Sequence, residues 1–64
     1  MPDYYSEAIR LVKSNPKKYR YPESLVRDLG VLGFSEITIR KNADRCLKSK
    51  LGYSFSELKS MALK

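Results

Sequence analysis

Between Gly33 and Gly52 the chain sets Thr38, Lys41, Asn42, Arg45, Lys48 and Ser49 mostly three or four residues apart, the spacing that gathers side chains on one face of an α-helix. Three cations, one amide and two hydroxyls make that face rich in hydrogen-bond donors, and no carboxylate shares it. The chemistry open to such a face is recognition rather than bond-making. Arginine and lysine can bond O6 and N7 of guanine, and Asn42 can pair with adenine through two hydrogen bonds. Thr38 can touch a thymine methyl group or a phosphate. An ordinary solvated helix face mixes both signs of charge, because i,i+4 pairs of opposite sign add a few tenths of a kcal/mol. Here the acids of this stretch, Glu36 and Asp44, lie off the face, which suits a helix that lies against a polyanion.

Covalent chemistry has little to work with. The chain has no histidine and a single cysteine, so it lacks the usual nucleophile–base pair and the spacings of a metal knuckle. Only lysine- or carboxylate-based catalysis is left open, and 64 residues leave little room for a buried cleft with its own supporting shell. The expectation is no enzyme activity, no catalytic residue, no metal and no cofactor. A lone cysteine cannot form an internal disulfide, and the first residues, Met1-Pro2-Asp3-Tyr4-Tyr5-Ser6-Glu7, carry neither the basic start nor the apolar run of a signal peptide. No apolar run approaches membrane-spanning length. Together these predict a reducing, cytoplasmic setting, on the nucleoid if the partner is DNA, and no membrane partner.

The helix that would carry the polar face has clear ends. Ser35 is a good N-cap, Glu36 stands where the helix dipole favours an anion, and Lys48 and Lys50 stand where it favours cations. Gly52 fits the left-handed position just past the last turn. Its other side, Ile39, Ala43, Cys46, Leu47 and Leu51, forms one apolar band that should face the core, with Cys46 buried in its centre. By angle Arg40 and Lys50 flank this band, so their stems should run along its edge.

Three further helices are predicted around it. Asp3 caps a first helix running to about Ser14, with Tyr4, Tyr5, Ala8, Ile9, Leu11 and Val12 on one broad apolar side. Asn15-Pro16 ends it, since proline disfavours helical geometry in the residue before it. A basic loop interleaved with aromatics follows, Lys17-Lys18-Tyr19-Arg20-Tyr21. Lys17, Lys18 and Arg20 are candidate phosphate contacts; Tyr19 or Tyr21 could add hydrogen bonds or stacking beside them, but folding of both rings over the core edge is the first expectation. Pro22 opens a short second helix that buries Leu25, Val26 and Leu29 and stops at Gly30. Val31, Leu32 and Phe34 should then plug the gap before the next helix. After Gly52, Ser54 and Glu57 have capping-box spacing and Tyr53 and Leu58 have staple spacing, so a last helix begins at Phe55. The fold class expected is all-α, a single domain built as a small bundle of about four helices.

A short helix, a glycine-containing turn and a longer helix with a basic outer face, over about residues 22–51, form a helix-turn-helix pattern. In such a unit the second helix enters the major groove. Ser35-Glu-Ile-Thr-Ile-Arg-Lys41 resembles the start of the recognition helix in DeoR-type repressors, Ser-Glu-x-Thr-Ile-Arg-Arg. Gly33-Phe-Ser35, with Leu47-Lys-Ser-Lys-Leu-Gly-Tyr-Ser-Phe-Ser-Glu-Leu-Lys59, is similar to the last helix-turn-helix of AraC-type activators. Each likeness covers less than half of the chain. What they imply is a recognition helix, with Thr38, Lys41, Asn42 and Arg45 as candidates for base contact. Lys17, Lys18, Arg20, Ser35, Lys48 and Lys50 are the candidates for phosphate.

The charge balance agrees with an anionic partner. Thirteen Lys and Arg stand against seven Asp and Glu, for a net charge of +6. The excess is uneven: residues 1–34 carry six cations and four acids, and residues 35–64 carry seven and three. Double-stranded DNA is the first expectation, for a regulator that acts by occupying a site. An inhibitor or adaptor that sets the same face on an acidic protein is the alternative, and RNA ranks behind both. A modest basic excess is also common in small soluble domains.

Overall fold

The computed structural model describes residues 3–30 and 33–64. Within them lie four helices, α1 (Tyr4–Ser14), α2 (Pro22–Leu29), α3 (Glu36–Leu51) and α4 (Phe55–Ala62), and no strand. The protein is all-α.

Three helices begin where a side chain meets a free N–H group, and the remaining one begins at a proline, which has no N–H to satisfy. The Asp3 carboxylate accepts from the N–H groups of Tyr5 and Ser6. Pro22 opens α2, which has no side-chain cap. The Ser35 and Ser54 hydroxyls accept from the N–H groups of Thr38 and Glu57. Gly30 (φ 59°) and Gly52 (φ 83°) end α2 and α3 in the left-handed region, which costs a residue without Cβ little. A side chain at either position would be strained even though the space around it is open.

All four helices and one loop residue build the core. Ala8 and Val12 come from α1, Leu25, Val26 and Leu29 from α2, Ala43 and Leu47 from α3, and Phe55, Leu58 and Ala62 from α4. Tyr19, from the loop between α1 and α2, completes it at 2% exposure. Helix α2 packs chiefly on α3, and α1 on α4 and α2. The chain measures 31 × 27 × 16 Å, and its thinnest dimension is less than two helix diameters of about 10 Å each.

Several sequence expectations are modified here. Cys46 is half-buried at the edge of the apolar band rather than at its centre. Tyr21 is 59% exposed, so only Tyr19 covers the core. Phe34 is 41% exposed and does not act as a plug; Val31 and Leu32, expected to share that role, lie outside the described residues. Arg40 and Lys50 are both exposed, and Arg40 reaches back along its own helix to Glu36 at 3.9 Å instead of hugging the core.

The join between α3 and α4 rests on a bond that helix periodicity does not show. The Phe55 N–H, in the first turn of α4, donates to the Asp44 carboxylate from the middle of α3 at 2.6 Å. At the same helix start Ser54 donates its hydroxyl to Glu57 at 3.1 Å, so the predicted capping box closes through side chains. Tyr53 packs its ring against that of Tyr5 of α1, with centroids 5.0 Å apart and the planes tilted by 34°.

Candidate nucleic-acid interface

The outward side of α3 holds the residues singled out for base contact, and they stand differently. Lys41 and Arg45 are exposed, and among the described residues neither has a carboxylate within ion-pair distance. They are one turn apart, about 6 Å along the axis. Asn42 is half-buried on the flank of this face. Thr38 is half-buried as well, and its hydroxyl shares a hydrogen bond of 2.8 Å with that of Ser35. Ser35 also accepts from the Thr38 N–H at 3.3 Å. The first-turn hydroxyls are therefore engaged with each other and with the helix start.

The phosphate candidates divide too. Lys17, Arg20 and Lys50 are exposed and form no ion pair among the described residues. Lys48 is shared: Glu57, carried round by the turn at Gly52, comes within 3.6 Å of its ammonium group. The face free of carboxylates within α3 thus gains one from α4 at its C-terminal end. Glu57 is held below its ordinary pKa first by the Ser54 hydroxyl and its backbone N–H, with Lys48 a smaller cause.

Lys18 is committed to the protein itself. Its ammonium group lies 2.9 Å from Asp28 in the last turn of α2, and the Tyr19 hydroxyl donates to the same carboxylate oxygen at 2.7 Å. The Lys18 hydrogen bond, then that of Tyr19, lowers the pKa of Asp28. In return Asp28 raises that of Lys18. Burial raises that of Tyr19, with the Asp28 hydrogen bond second. This cluster pins the basic loop to α2, leaving Lys17 and Arg20 as its outward charges.

Elsewhere the acids are mostly engaged. Glu36 lies 3.4 Å from Arg27 and 3.9 Å from Arg40, Glu7 pairs with Arg10, Asp44 accepts from Phe55 and Asp3 caps α1. The carboxylates thus serve helix ends and joints, while the two central cations of α3 are left without partners. No group of three or more acidic or sulfur side chains that could hold a metal ion occurs among the described residues. No helix is long and apolar enough to cross a membrane.

One feature of this face escaped the polar reading of the sequence. Ile37, the second residue of α3, is 69% exposed, the largest value among the large hydrophobic residues described. It stands one turn before Lys41. The signal was present in the helical wheel, which sets Ile37 about 160° from Ile39.

Fold and surface together define a small all-α domain with a helix pair whose second member presents uncompensated cations. No protein-family model matches the chain, and comparison with curated proteins and with solved structures found no match. The DeoR-type and AraC-type likenesses stay local to the residues that carry them. With no strand among the described residues, the two-stranded wing that follows the recognition helix in DeoR-type repressors has no counterpart after Gly52.

Proposed function

We propose that the protein is a small helix-turn-helix DNA-binding regulator of the cell interior, with α2 and α3 as the unit and α3 in the major groove. It acts by occupying a site and performs no chemistry. The observation that carries this reading is the pair Lys41 and Arg45, exposed and unpaired on the outer face of α3, in a chain whose acids are largely engaged elsewhere. Bringing an unpaired surface cation to a phosphate or a guanine edge breaks no internal ion pair. Lys41 and Arg45 take the base-reading role, with Asn42 beside them. Lys17, Arg20, Lys48 and Lys50 take phosphate, and Lys48 does so in competition with Glu57.

Selection from random duplexes followed by a salt titration tests the reading. A consensus should emerge, and three to four phosphate contacts, Lys48 counting only as far as it leaves Glu57, predict a log–log slope of about −2.7 to −3.6. Failure to enrich any duplex would refute it. A second reading draws support from two exposed apolar residues, Ile37 on the same side of α3 and Phe34 just before it: an inhibitor or adaptor set against an acidic protein. An apolar patch of that kind would give a shallow salt slope.

A further inference from the structure

We infer that Ile37 is a specificity-determining residue that reads the C5-methyl group of a thymine in the major groove. The inference rests on the DNA reading above and extends it to a residue type that charge and hydrogen bonding do not capture. Ile37 is 69% exposed and contributes nothing to the core. As a β-branched residue it does not favour its helix either. Its position one turn before Lys41 puts it on the side of α3 that carries Lys41, Arg45 and Lys48. An exposed apolar side chain among cations calls for a partner that is anionic overall yet offers an apolar group between its charges. The major groove is such a surface, because thymine places a methyl group there between two lines of phosphate.

The neighbours strengthen the assignment. Thr38, whose methyl group could make the same contact, is half-buried, and Phe34, at 41% exposure, stands before the helix rather than on its outer face. Glu36, the nearest acid, faces Arg27 and Arg40 at 3.4 and 3.9 Å, so its charge is countered where the phosphates would lie.

Deoxyuridine scanning of the selected duplex isolates the methyl group, since exchanging thymine for uracil deletes only that group and keeps every hydrogen bond. At one thymine the exchange should weaken binding of the unaltered protein about fourfold, the factor that burial of a single methyl group corresponds to. Ile37→Ala should bind the thymine and uracil duplexes equally at that position, with an unchanged salt slope. The variant should fold, because alanine is the better helix former at an exposed site. A protein that binds its duplex but is indifferent to uracil at every position overturns this inference and leaves the DNA reading standing. So does an Ile37→Ala variant that still discriminates. If no duplex is bound at all, both readings fall, and Phe34 and Ile37 become a protein-facing patch.

Discussion

Asp44→Ala should loosen the joint between α3 and α4. In the native protein the Asp44 carboxylate accepts the Phe55 N–H at 2.6 Å, one of the otherwise free N–H groups at the start of a helix. Phe55 is itself in the core at 8% exposure, so removing the acceptor leaves a largely sheltered donor without a partner. A hydrogen bond to a charged group contributes about 1.5–3 kcal/mol. Asp44 is exposed, which places the expected cost near the lower end, about 1.5 kcal/mol. In a domain of this size each kcal/mol moves the melting midpoint by about 4–8 °C, so a drop of about 6–12 °C is expected. Asp44→Asn keeps an acceptor and loses the charge, and should fall between the two. Thermal and urea unfolding followed by circular dichroism measure both variants. Below its midpoint Asp44→Ala should bind DNA at least as tightly as the parent, since an acid has left the recognition helix. If its unfolding curve superimposes on that of the parent, the carboxylate does not hold α4 and the reasoning fails.

Arg45→Ala should weaken binding to a selected duplex by about 1–3 kcal/mol and relax preference at one base pair if the side chain reads a base; an even loss with a shallower salt slope would move it to phosphate, and no loss in it or in Lys41→Ala would remove α3 as the reader. Glu57→Gln should release Lys48 and steepen the salt slope by up to about 0.9, and an unchanged slope would show that Lys48 does not reach DNA. The Lys18–Tyr19–Asp28 cluster predicts losses at both ends of the pH scale. Because the pKa of Asp28 is lowered, its contribution is complete above pH about 4 and is lost as pH falls through the folded value. Those of Lys18 and Tyr19 are raised, so their contributions are complete below pH about 10 and are lost as pH rises through the folded values. Tyr19→Phe should cost about 1–2 kcal/mol near neutral pH, and a urea midpoint equal to that of the parent would rule out the hydrogen bond.

What the sequence determined by itself is the local architecture. Asp3, Ser35 and Ser54 start helices and Gly30 and Gly52 end them, because caps are settled by groups two to four residues apart, whose separation is fixed whatever the rest of the chain does. The same holds for the two sides of α3: helical periodicity alone puts Ala43 and Leu47 inward and Lys41 and Arg45 outward. The state of each outward group depended on packing. Glu57 reaches Lys48, Asp28 takes Lys18 and Tyr19, and Asp44 takes Phe55 only because the helices fold onto one another. These partners are nine to eleven residues apart, beyond the reach of i,i+3 and i,i+4 rules. The two tyrosines of the basic loop make the same point. Tyr19 and Tyr21 are the same residue type in the same loop, but only Tyr19 both packs into the core and reaches the Asp28 carboxylate. Burial of its ring is favourable only where its hydroxyl finds a partner, and only the tertiary structure supplies that partner.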